Sequence, residues 1–77
     1  MRITGPKPVQ FDRLAQIAGT IRARKWDIRV LLDVGGKAHF AKWGKRSALA
    51  LLADCKDGDW TAYVDYRSDT VTLIPSA

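Results

Sequence analysis

Glutamate and asparagine are absent from this 77-residue chain, and all eight of its acidic side chains are aspartate. Cysteine and histidine occur once each, as Cys55 and His39. A single cysteine excludes an intrachain disulfide and a cysteine-based zinc site. A lone histidine with no glutamate or second histidine as partner builds no metal-ligand set. Long apolar runs are lacking too. The longest, Ala48 to Ala53, has six residues, far below the ~20 that span a bilayer. The opening Met-Arg-Ile-Thr-Gly-Pro carries no apolar segment. Neither a membrane span nor a secretory signal is expected, and a cytoplasmic location follows as the expectation.

Sequence patterns of catalysis are also missing. There is no Walker-type glycine loop and no nucleophile elbow. Ser47, His39 and Asp33 compose a triad only on paper. Asp54, Asp57 and Asp59 flank Gly58, but their spacing fails the calcium-loop pattern and reads as a polar turn. No enzyme and no cofactor are expected. His39 is expected in a partly buried, hydrogen-bonded place, and Trp26, Trp43 and Trp60 in the core or at its rim.

What is present is a folded composition, 47% hydrophobic and 27% charged, in a length that makes one small domain. The charge is unevenly placed. Residues 1–46 hold eleven of the thirteen Lys and Arg and three of the eight Asp, a net +8; residues 47–77 hold the rest, a net −3.

Residues 8–25 read as a helix, with Phe11, Leu14, Ile17, Ala18 and Ile21 at helical spacing. Pro8 suits the first turn and Asp12 is a rival N-cap. Residues 26–43 read as a hairpin turning at Gly35-Gly36. Residues 47–58 read as a second helix, from an N-cap at Ser47 to a stop at Gly58. Residues 60–67 and 70–74 pair across a turn near Ser68 and Asp69, and a short strand at Arg2 to Thr4 is a further candidate. The expected fold is α+β: helix–hairpin–helix–hairpin (αββαββ), a four-stranded antiparallel-rich sheet, and both helices on one face. Trp60 follows Trp26 by 34 residues, as Leu51 follows Ile17, so residues 8–43 and 47–75 form a candidate internal repeat in pattern.

A two-residue turn fixes the register of the first hairpin. Ile28, Val30, Leu32 and Val34 then face the helices with Trp43, Ala41, His39 and Lys37. Leu31, Phe40, Arg29 and Lys42 face the other way. In the second hairpin Trp60, Ala62, Val64, Tyr66, Val71 and Leu73 share the core side, and Tyr63, Asp65, Thr72 and Ile74 the open side. The open face thus presents Leu31, Phe40, Tyr63 and Ile74, with Arg29 and Lys42 at one end. Three uses fit: stacking of single-stranded nucleic acid on Phe40 and Tyr63, burial by a protein partner, or a homodimer packed sheet to sheet. Coverage by a tail or loop is the plain alternative.

Two basic clusters accompany that face. Lys42, Lys45, Arg46 and the Ser47 hydroxyl surround the start of the second helix, where free N–H groups favour phosphate. Arg22, Arg24, Lys25 and Arg29 form the other. They read as a solvated face unless the fold aligns them with the first cluster. Lys45 and Arg46 at the positive end of that helix, and Asp54 and Asp57 at its negative end, all oppose its dipole. A basic nucleic-acid-binding module is the leading expectation. The second is a stoichiometric inhibitor or adaptor that blocks a host protein or nucleoprotein complex. In size and layout the chain resembles small binding proteins of phages and mobile elements, which implies a binding domain without a catalytic site.

Overall fold

The computed structural model describes residues 8–76; the candidate strand at Arg2 to Thr4 lies outside them. Seven elements follow in chain order: β1 (Val9–Phe11), α1 (Leu14–Ala23), β2 (Asp27–Val34), β3 (Lys37–Trp43), α2 (Lys45–Ala53), β4 (Trp60–Asp65) and β5 (Thr70–Pro75). The strands form one mixed sheet in the order β1-β4-β5-β2-β3, with every pairing antiparallel except β2 with β5. The fold is therefore α+β with two helices, as expected, but with five described strands rather than four.

The extra strand corrects the start of the first helix. Val9, Gln10 and Phe11 pair with Val64, Tyr63 and Ala62. Phe11 suited the helical spacing, but strand alternation also turns Phe11 toward the core. A proline just before an edge strand is as acceptable as one in a first helical turn. Helix α1 is therefore ten residues long. It ends before Arg24, whose extended backbone begins the crossing to β2.

The register of the first hairpin agrees with the expectation, and so do the faces of the paired residues in the second. Val34 pairs with Lys37, Val30 with Ala41 and Ile28 with Trp43. Gly35 and Gly36 take φ of 62° and 82°, the left-handed pair that a two-residue turn needs. Ala62 pairs with Leu73 and Val64 with Val71. One sheet face thus carries Ile28, Val30, Ala62, Val64, Val71 and Leu73, all buried. Ile17 and Ile21 of α1 and Ala48 and Leu52 of α2 complete the same cluster, so both helices cover that one face.

The helix ends differ from the sequence expectation. Helix α2 starts at Lys45 with Gly44 as its N-cap, and Ser47 is its third residue. Strand β3 runs up to Trp43, so the extended Gly44 is the only hinge between the two elements. Asp54 is the C-cap, and Gly58, at φ 91°, belongs to the next turn. Asp12 does not cap α1. Arg13 holds the N-cap position, and the Leu14 N–H donates instead to Asp57 Oδ1 at 2.9 Å. Asp57 therefore does not oppose the α2 dipole to no purpose. It places a carboxylate at the start of α1, where the dipole favours it.

Candidate binding face

The face opposite the helices is built by strand alternation alone. Across it runs a row of five laterally paired residues, one per strand: Gln10, Tyr63, Thr72, Arg29 and Lys42. One step along, Thr61 pairs with Ile74 and Leu31 with Phe40. Phe40 is 55% exposed, while Leu31, Tyr63 and Ile74 are half-buried by their neighbours. The face combines two aromatic rings, two aliphatic side chains and two cations.

Asp27, unforeseen in the sequence, lies on the same face. Its carboxylate is 3.4 Å from the Arg29 guanidinium and 3.7 Å from the Lys42 ammonium. The second distance is too long for a hydrogen bond, and Asp27 Oδ1 has no hydrogen-bond partner. Arg29 and Lys42 sit opposite each other, and like charges so placed repel. Asp27 offsets that repulsion. The sequence signal was available: Asp27 precedes Arg29 by two residues and so shares its face.

Lys45 and Arg46 are exposed in the first turn of α2, directly after the edge strand that carries Lys42. Ser47 is exposed beside them and makes no side-chain cap. The other basic cluster divides. Arg29 belongs to the open face. Arg24 stacks over Trp26 at 4.3 Å and Tyr66 at 5.3 Å and pairs with Asp69 at 2.9 Å. Trp26 has the parity of Ile28 and Val30, so this assembly lies toward the helix side. Trp26 is fixed there by its indole N–H donating to the Thr20 carbonyl at 2.8 Å. Arg22 lines a shallow groove between α1 and α2, and Lys25 is exposed just beyond α1. Arg22 and Arg24 thus lie on the helix side, off the open sheet face that carries Arg29 and Lys42.

Two further expectations are corrected here. His39 is exposed rather than partly buried. Tyr66 lies past the end of β4, 51% exposed, with its ring edge-on to Trp26 at 5.5 Å. A groove of about 480 Å³ is on the helix side between Phe11, Gly19, Ala23, Trp26 and Tyr66. Among the described residues no group of three or more His, Cys, Asp or Glu comes together, and no helix is long and apolar enough to cross a membrane. Comparison with family models, with curated proteins and with solved structures found no match for this chain.

Proposed function

We propose that this small α+β domain is a nucleic-acid-binding module that takes a single strand across its open sheet face. The observation that carries the reading is the cross-sheet row Tyr63–Thr72–Arg29–Lys42, with Phe40 one step away. Bases stack on Tyr63 and Phe40, since every base offers a π-face. Phosphates meet Arg29, Lys42, Lys45 and Arg46, with the Ser47 hydroxyl and the free N–H groups of the α2 start beside them. Tyr63 and Phe40 stand three strands apart, about 14 Å at the usual strand spacing. That exceeds the about 3.4 Å rise per nucleotide along a stacked strand, so the two rings hold non-adjacent bases. No step of bond making or breaking belongs to this function.

Binding of single-stranded oligonucleotides at low and moderate salt tests the reading. Four phosphate contacts give a slope of log K against log salt of about −3. Lys45→Ala with Arg46→Ala weakens binding and flattens the slope, and Phe40→Ala weakens it without changing the slope. Asp27→Asn removes the competing carboxylate and strengthens binding several-fold. A chain that binds no oligonucleotide even at low salt ends the proposal.

A second reading rests on a different observation, the exposed Val34 and Phe40 of the first hairpin. An exposed aromatic beside cations is also a good anchor for a protein partner, as an inhibitor or adaptor acting on a host complex requires. Pull-down with and without nuclease separates the two. A partner retained after nuclease favours the inhibitor, and one lost with the nucleic acid favours the binding module.

A further inference from the structure

The two edges of the sheet are unlike. β1 is a three-residue strand, too short to template another. β3 is seven residues long, contains no proline, and pairs with β2 in unbroken register. Natural proteins usually blunt such an edge. A two-residue turn closes on a hydrogen-bonded pair, here Val34 with Lys37. Alternation along β3 then turns the N–H and C=O groups of Ala38, Phe40 and Lys42 away from β2, to the side where no described strand lies.

We propose that two copies of this chain associate through β3, antiparallel and in register about Phe40, to form one continuous ten-stranded sheet. The sequence of the strand, Lys37-Ala-His-Phe-Ala-Lys-Trp43, selects that register. With Phe40 opposite its own copy, Ala38 meets the partner's Lys42, His39 meets the partner's Ala41, and Lys37 meets the partner's Trp43. All seven residues pair, and no lysine faces a lysine. The two Lys42 side chains stand about 13 Å apart along the strands. A shift by two residues either way leaves only five residues paired and preserves the faces. A shift by one sets each copy's core side level with the other's open side and leaves the outward main-chain groups without partners. In the full register the outward groups of Ala38, Phe40 and Lys42 form six main-chain hydrogen bonds. Phe40 covers Phe40 on the open face, and the Lys37 stem lies along the partner's Trp43.

The neighbouring structure leaves room for this. The tip of the β2–β3 hairpin is uncovered on its helix side, where His39 and Val34 are exposed. That is the place beside which the partner's Trp43 arrives. Asp27 holds Lys42 partly neutralised on the sheet face, so Lys42 blunts the edge less than a free lysine does. Each chain carries a net +5, so the two copies repel at long range, and added salt strengthens the dimer by screening. This association is independent of the nucleic-acid reading, whose salt dependence has the opposite sign.

Sedimentation equilibrium on nuclease-treated protein, from about 10 μM to about 1 mM, is the test, since an edge pairing falls below the standard interface size and is weak. The mass rises toward that of two chains, and rises further with salt. Phe40→Lys sets like charges opposite each other at the two-fold axis and leaves a monomer. Phe40→Glu does the same. The two variants mixed recover a heterodimer, because position 40 faces its own copy only in this register. Ala38→Pro removes an outward N–H without touching the β2 pairing, and it too leaves a folded monomer by circular dichroism. A wild-type chain that stays monomeric throughout overturns the proposal. So does a wild-type dimer that Phe40→Lys and Ala38→Pro leave intact. A wild-type chain that binds oligonucleotide but stays monomeric overturns only the dimer, and one that dimerises but binds no oligonucleotide overturns only the nucleic-acid reading.

Discussion

The two hairpins have the same alternation and opposite fates. Strands β4 and β5 lie in the middle of the sheet, and Ala62, Val64, Val71 and Leu73 are all fully buried. Strands β2 and β3 are as regular, yet only the base is buried, at Ile28 and Val30; Val34 at the tip is 59% exposed. The difference is one of lengths. The ten residues of α1 span about 15 Å and the eight of β2 about 27 Å. The parallel pairing of β2 with β5 also covers only Asp27 to Val30. Alternation assigns a residue to a face; the reach of the neighbouring elements decides whether that face is covered.

The largest test of this contrast compares two positions on the first hairpin. Val30→Ser removes two methyl groups from the covered base and buries a hydroxyl, at a cost of about 3 kcal/mol. Phe40→Ser at dilute protein changes stability by no more than about 0.5 kcal/mol. Urea melts of both variants check this, and equal losses break the distinction between base and tip.

A smaller effect follows from the carboxylate that joins the α2–β4 connection to α1. Asp57→Ala leaves the Leu14 N–H without its partner and costs about 1 kcal/mol, as the loss of an N-cap does. Amide exchange locates the loss: protection falls at the start of α1 and stays unchanged at the Gly35-Gly36 tip. The smallest effect separates the two tips by chemistry. The first closes on glycine conformations, the second on Asp65, whose Oδ1 accepts from the Arg67 N–H at 2.9 Å and the Ser68 N–H at 3.4 Å. The Arg67 N–H chiefly holds the Asp65 carboxyl below its ordinary value of 3.8. A lowered carboxyl stabilises the folded state above its unfolded pKa, and that contribution is lost as pH falls through the folded value. Titration followed by NMR finds a low Asp65 pKa, with acid loosening the second tip before the first. In Asp65→Asn that ordering disappears.

Much of this fold was legible because its strongest signals are local. Gly35-Gly36 and the alternation on either side of it define both faces of the first hairpin without any knowledge of the rest. What escaped was non-local. Val9–Phe11 is a strand only because β4 lies beside it, and three residues cannot outweigh the helical spacing of Phe11 with Leu14. The Asp57 cap joins positions 43 residues apart. Strand order, including the one parallel pairing, leaves no trace in local periodicity. On the candidate face the aromatic and basic residues follow from alternation, and so does Asp27, whose role as counter-ion needed the Arg29–Lys42 pairing to become visible. The engagement of Arg24 with Trp26, Tyr66 and Asp69 depends on the β4–β5 turn folding back against the end of α1.

The position of β5 has a consequence for how the chain reaches this state. It comes last in chain order among the described elements, and it is the strand that ladders the two halves of the sheet together, lying between β4 and β2. Until Thr70–Pro75 has emerged from the ribosome, β1 with β4 and β2 with β3 are separate ribbons with no ladder between them. Two-stranded ribbons are marginal by themselves in water. The domain therefore folds after the synthesis of residue 75 rather than during it. A nascent chain stalled before Thr70 stays sensitive to protease along its whole length, because the keystone of the sheet has yet to arrive.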